Sequence, residues 1–352
     1  MGKYSIALQM FQELTAKEQA RFLEAVADNK SVAHNGSHDL EETILKHNHT
    51  STGDRPPCPH CGSEIVKKNG RLKGRQRYQC KTCGSYFVIT SSSILYASKK
   101  DPSTWEKFME CMMDKFSLRK SAARCGISVP TAFIWRQKIL GGLQKIHESV
   151  VLKGVVQTDE TFFPVSYKGN HTKSKFKMPR RSHKRGLDTH VRGISRQKAC
   201  VTCSVTSDGH SIGMISNLGR PNAKTLGAVL NGKVEEGSIF VTDGLTEYSK
   251  IAKTNGLTHI RIPKGQHTNG IFNIQTVNAY HKELKRLVLK AFSGVATKYL
   301  NNYVVFHNFV NFAKHSFSEK LDILVEHTFS TPLLEKCKEI SVRPAIPLPL
   351  AA

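Results

Sequence analysis

The sequence predicts a multidomain chain: a small cysteine-stapled module and a helical hairpin, then a larger α/β domain with a mixed sheet flanked by helices. Three observations predict it. Two Cys-x-x-Cys pairs, Cys58/Cys61 and Cys80/Cys83, stand 18 residues apart. From Gly154 onward, short apolar runs of strand length alternate with helix-length amphipathic segments. The charge is one-sided, with 52 Lys+Arg against 28 Asp+Glu and a formal net charge of +24 over 352 residues. That excess favours a polyanionic partner, most simply nucleic acid. An anionic membrane surface is the alternative, but no apolar stretch approaches spanning length and Met1–Lys30 lacks a signal-peptide pattern. The expectation is a cytoplasmic, nucleoid-associated protein with no membrane contact.

Residues 1–30 carry helical apolar spacing and a Thr15-x-x-Glu18 start signal, which predicts a helical N-terminal arm. Residues 31–56 are polar and read as a linker. The cysteine pairs define a zinc ribbon over 57–98. Nine cysteines is an odd number, and two paired knuckles at this separation suit one tetrahedral four-thiolate Zn²⁺ site better than disulfides. His60 lies inside the first knuckle, where its ring is poorly placed to join the same ion. Between the pairs, Lys67, Lys68, Arg71, Lys73, Arg75 and Arg77 face the single acid Glu64. Such a run is often only a solvated face, but in this charge context it predicts DNA phosphate contacts.

Residues 99–150 form the helical region. Within Ser117–Leu140, Ala122 and Gly126 suit the close approach and the turn of a helix-turn-helix, and Pro130 suits the first turn of its second helix. Ser128, Thr131, Arg136 and Lys138 are expected to face outward toward a DNA groove. A small helical bundle joining two domains is the blander alternative.

The α/β domain is expected over 151–318. Val155–Phe163 and Ser238–Gly244 each read as an apolar strand ending in an acid, Asp159 and Asp243. An acid there is costly unless a cation sits on it, and two such carboxylates can hold one or two Mg²⁺ ions. Pro164–Lys198 holds eleven Lys/Arg and one acid, a basic insertion read as lying on DNA or packed against it. Cys200 and Cys203 are three apart on a strand, face opposite ways and are expected to be core residues. The long helix beginning near Val277 carries Asn278, His281 and Lys285 on one face, about 60° and 20° apart from the first. Glu283 lies about 140° away on that helix and is expected to point elsewhere. Asn278 is therefore the candidate third ligand, through its carbonyl oxygen. Residues 319–352 should form a C-terminal helix and a flexible Pro/Ala-rich tail.

The set Asp159, Asp243, Asn278 and Lys285 resembles the catalytic signature of bacterial insertion-sequence transposases of the zinc-ribbon, Asp-Asp-Asn-Lys class, akin to Merlin elements. Lys184–Leu187, Asn273–His281 and Gly294–Leu300 carry the same likeness, which covers roughly Pro57 to Phe312. Asn273 departs from the histidine expected there. The resemblance implies a ribonuclease-H-like catalytic domain, Mg²⁺ or Mn²⁺ held by Asp159, Asp243 and Asn278, and strand cleavage and transfer. The implied partners are double-stranded DNA, as terminal inverted repeats and target, and further copies of the chain in a dimer or higher assembly. A catalytically decayed DNA-binding regulator and a nucleic-acid-coating protein are the competing readings.

Overall fold

The computed structural model describes residues 55–72, 75–96, 98–169, 193–311, 315–330 and 336–349. The N-terminal arm, most of the linker, Lys73 and most of the basic insertion lie outside the described residues.

The first unit is a three-stranded antiparallel sheet of β1 (Val66–Leu72), β2 (Arg75–Cys80) and β3 (Tyr86–Val88). Its core is only Cys58, Val66, Tyr78, Cys80 and Phe87, with Tyr78 stacked on Phe87 at 5.6 Å. So small a core calls for a staple.

Three helices come next in the chain: α1 (Pro102–Met113), α2 (Leu118–Cys125) and α3 (Val129–Ser149). Ser117 and Ser128 cap α2 and α3 by accepting the backbone N–H of Lys120 and Thr131. Gly126 turns the chain between them at φ 60°, a left-handed position that disfavours a side chain. Trp105 stacks on Trp135 at 3.7 Å, and Phe108 meets the same ring edge-on. These helices are continuous with the core of the C-terminal half. Trp105, Phe108, Leu140 and Leu143 share one cluster with Val304, Phe306 and Leu324.

The α/β unit is built on a five-stranded sheet of β4 (Val155–Pro164), β5 (Lys198–Thr206), β6 (Ser211–Leu218), β7 (Ile239–Thr242) and β8 (Thr258–Arg261). Its order is β6-β5-β4-β7-β8. β4, β5 and β6 run antiparallel, whereas β7 and β8 add parallel to β4. Parallel neighbours need crossover connections. The helices α4 (Ala223–Leu230) and α5 (Glu247–Thr254) supply them and cover one face, around Val156, Ile212, Phe240 and Tyr248. The other face packs Val201, Cys203, Val205 and Ile215 against α6 (Gln275–Lys285) and α7 (Leu300–Asn311). Gly213 permits this approach, since a Cβ there would meet Val304 Cγ1 at 2.8 Å.

The long helix expected from Val277 to Ala291 is α6 continued by a π-helical stretch, Arg286–Ala291. Ahead of α6 stands a hairpin not expected from the sequence, β9 (Thr268–Asn269) with β10 (Phe272–Asn273). The C-terminal part holds two helices, α8 (Phe317–Ser330) and α9 (Cys337–Val342). The described part of the tail does not hang free: Ile346 packs on the main core, and Lys298 Nζ donates to Ser341 O at 2.8 Å. Among the described residues no helix is long and apolar enough to cross a membrane.

Candidate active site

The register of the sheet brings the acids together. Thr158 of β4 pairs with Thr242 of β7 in parallel, so Asp159 and Asp243 leave the ladder side by side. Asp159 is not at a strand end as expected. β4 runs on to Pro164 because β5 pairs with it along its whole length, while β7 stops at Thr242. The strand end that opens the site belongs to β7. Thr158 and Thr242 are buried and fixed, the first by Ser204 Oγ at 2.6 Å and the second by His259 Nε2 at 2.8 Å. Asp243 turns the chain by accepting the Leu245 N–H at 3.0 Å.

A third carboxylate joins them, and sequence reasoning missed it. Oxygens of Asp159, Glu160 and Asp243 all lie within 4.8 Å of one another. Strict alternation along β4 sets Glu160 on the opposite face from Asp159. Its carboxylate nonetheless falls within reach of the other two, and Tyr248 OH donates to Glu160 Oε1 at 2.5 Å. The signal available in the sequence was the Asp159-Glu160 pair itself. Burial pushes Asp159 up to about 6, with Asp243 adding repulsion and Lys285 opposing it. Burial likewise pushes Glu160 up to about 7, helped by repulsion from Asp159 and Asp243, against the Tyr248 hydroxyl. Three crowded, half-buried carboxylates that resist ionising together are a natural seat for a divalent cation.

Helix α6 closes the site from above. Its first turn has no side-chain cap of its own. Instead Gln157 Oε1, two residues before Asp159, accepts the N–H groups of Thr276 and Val277 at 2.9 and 3.1 Å. These bonds lock the helix to β4, and Gln157 too was missed. On this face, His281 Nδ1 lies 3.8 Å from Asp159 Oδ2. Burial lowers His281 to about 4, so its ring is neutral. Lys285 is exposed on the same face, close enough to Asp159 to favour its charged form. Asn278 is exposed about two turns nearer the helix start than Lys285. Glu283 pairs with Arg286 at 2.5 Å and lines a separate recess with Lys115, Lys290 and His307.

The ribbon cysteines meet as their spacing predicts. Cys58 and Cys83 sulfurs are 3.6 Å apart, as are those of Cys61 and Cys80, and all four fall within 4.8 Å. A tetrahedral Zn²⁺ with Zn–S near 2.3 Å separates its sulfurs by about 3.8 Å, so the four fit one zinc. The knuckles repeat each other. Gly62 and Gly84 sit at φ 73° and return their N–H groups to Cys58 O and Cys80 O. The Cys83 N–H on the Cys80 sulfur helps lower that thiol to about 6. Cys200 and Cys203 are buried free thiols in β5.

The expected DNA-facing residues divide. Lys67, Lys68 and Arg71 are exposed on β1, whereas Arg75 and Arg77 are half-buried. Arg77 is committed to Asn69 O and Oδ1 at 2.9 and 3.0 Å. On α3, Ser128 and Thr131 hydroxyls bond each other at 2.9 Å within the cap, and half-buried Lys138 reaches Ile94 O at 3.4 Å. Arg136 does not face outward. It is 1% exposed, donates to Phe116 O at 2.8 Å and lies over the Phe292 ring. The apolar periodicity of α3 continues through it because the helix is wrapped by α7 and the 292–299 segment. Exposed cations of this region include Arg119, Lys120 and Arg124 on α2, with Lys107 on α1 and Lys145 on α3.

The mixed sheet, with neighbouring acids at its central parallel pair, is consistent with a ribonuclease-H-like catalytic domain of the DDE type. Residues 151–309 match the family model of the ISXO2-like transposase domain. An uncharacterized protein in the transposable element ISH50 of Halobacterium salinarum is 24% identical over 250 residues, 70% of this chain and 82% of that one. An uncharacterized 48.3 kDa protein of insertion element ISM1 of Methanobrevibacter smithii is 32% identical over 94 residues, covering 23% and 21% of the two chains. Residues 151–309 are thus similar to a DDE-type transposase domain, and the chain is similar to insertion-element proteins.

Proposed function

We propose that this protein is the transposase of an insertion sequence, binding the element's ends and catalysing metal-dependent strand cleavage and transfer into target DNA. The observation that carries the proposal is the parallel β4–β7 register, which sets Asp159 beside Asp243. Asp159, Asp243 and Asn278, with Glu160 added to the sequence-based set, would hold Mg²⁺ or Mn²⁺. The bound ion would supply a polarised phosphate and an activated water or 3′-hydroxyl.

The protein's own groups do the rest. Gln157 fixes α6, the helix that carries Asn278 and Lys285, against β4. Lys285 presents its ammonium to charge that builds on the phosphate. Neutral His281 covers Asp159 without competing for its charge. Asn278 brings an oxygen without a charge, and Glu160 offers the charge that Asn278 lacks. The Cys58/Cys61/Cys80/Cys83 cluster would bind a structural Zn²⁺ and hold Lys67, Lys68 and Arg71 against DNA phosphates. Exposed Arg119, Lys120 and Arg124, rather than Arg136, extend that contact. DNA with two ends calls for at least two copies of the chain.

The test is Mg²⁺-dependent nicking of a labelled duplex carrying the DNA that flanks this reading frame. Wild-type protein should cut, and Asp159→Ala and Asp243→Ala should bind without cutting. Sequence-selective binding with no cutting by wild type would favour the decayed regulator instead.

A further inference from the structure

We infer that the β9–β10 hairpin is a DNA wedge: Ile271 at its tip enters the duplex beside the scissile phosphate and unstacks a base step. This rests on the transposase reading and adds a residue and a step to it. A lone exposed apolar side chain needs no explanation. What singles out Ile271 is how it is exposed and what holds it. The side chain is 88% exposed, and it follows Gly270 at φ 60° in the tight turn between Asn269 and Phe272. The hairpin has two anchors, and both lead to the acids. Asn269 Nδ2 donates to Arg261 O at 2.9 Å, and Arg261 Nη2 donates to Gly244 O at 2.8 Å, next to Asp243. On the other side β10 runs into α6, whose first turn is held by Gln157, two residues from Asp159. The tip is therefore fixed in relation to both catalytic strands and to Asn278.

Its surroundings suit DNA. From Arg261 to Asn278 the chain carries Arg261, Lys264 and His267 and no acid. Isolated apolar side chains offered beside basic ones are the form in which proteins insert between base pairs. A second copy of this chain is the poorer occupant. A stable protein interface needs about 800 Å² on each partner, far more than one isoleucine supplies. A wedge needs only one side chain. An unstacked step beside the cut would free the scissile phosphate to seat against the metal-bound groups, which is the work the wedge would do at this place.

The experiment uses the full zinc-loaded chain and two duplexes of the flanking DNA, one fully paired and one with two mismatched base pairs at the cut site. Each carries 2-aminopurine at the junction. Wild type in Ca²⁺ should raise the 2-aminopurine fluorescence of the paired duplex on binding, and Ile271→Ala should not, at unchanged affinity. In Mg²⁺, Ile271→Ala should cut the paired duplex at least about tenfold more slowly, since unstacking is worth a few kcal/mol. The mismatched duplex should restore it to within about twofold, and Ile271→Leu should behave as wild type. Equal loss on both duplexes, or wild-type cutting of paired DNA by Ile271→Ala, would overturn the wedge. So would an Ile271→Asp variant that loses self-association on a sizing column, which would assign the tip to a second copy. If wild type cuts neither duplex, the transposase reading fails, and the fluorescence arm still judges the wedge separately.

Discussion

Among the described residues, the two clusters suited to metal are built in opposite ways. The four thiols come from two local knuckles, each closed by its own glycine and its own backbone bonds. The three carboxylates come from two adjacent residues in the middle of β4 and from the residue that follows the end of β7. The first cluster is a property of short peptides and the second a property of the fold. The difference has consequences for stability. Around the ribbon, five buried residues make the core among the described residues, so a bound metal would contribute to folding. Around the acids the core is large, and the carboxylates are a burden that the fold carries until a cation arrives.

The largest expected effects break the acid cluster. Asp159→Ala or Asp243→Ala should lower Mg²⁺-dependent nicking by at least about a thousandfold, with thermal stability retained or raised, because each removes a repelling charge. Lost activity accompanied by unfolding would instead make these acids structural. Next, Cys80→Ser should release zinc, measured by elemental analysis, and weaken DNA binding while leaving the α/β core folded by near-ultraviolet circular dichroism. Full zinc retention would refute the four-thiolate site.

The same contrast governs what is legible in the sequence. The ribbon was legible because ligand identity and spacing are written along the chain. Asp159 and Asp243 were legible as acids on neighbouring apolar strand runs, and helical phase put His281 and Lys285 on the side of α6 that meets Asp159. Glu160 was not, since alternation sends it to the other face and its nearness to the other two acids depends on the tertiary fold. Gln157 looked like one polar residue in an apolar run, and its role as the cap of a helix over a hundred residues away depends on tertiary contact. Arg136 misled because an arginine on a recognition-like helix is normally a surface residue. Its burial over Phe292 comes from helices wrapped around α3, which the local pattern does not encode.

Two smaller effects sharpen the comparison. Arg136→Ala should destabilise the protein by about 2–4 kcal/mol through a lost buried contact and a cavity. It should leave DNA sequence preference unchanged, which denaturant melts and competition binding would separate. The pH dependence of the metal-free protein carries a definite sign. Asp159 and Glu160 have folded values raised to about 6 and about 7. The folded state therefore holds more protons than the unfolded state between their ordinary values and these. Stability should fall as pH rises through roughly 4 to 7, and Mg²⁺ should reverse part of that fall. In Glu160→Gln the slope should be shallower, a change read from melting temperature against pH with and without the ion.

The most direct test of the central claim, that the β4–β7 register builds a divalent-cation site, is calorimetric titration of Mn²⁺ into the zinc-loaded full chain. Binding should strengthen as pH rises through 6 to 7, the range in which Asp159 and Glu160 ionise. It should be lost in Asp159→Ala and in Asp243→Ala, weakened in Glu160→Gln, and unchanged in Asp208→Asn, a surface acid of the β5–β6 turn. Equal Mn²⁺ affinity in wild type, Asp159→Ala and Asp243→Ala would contradict it.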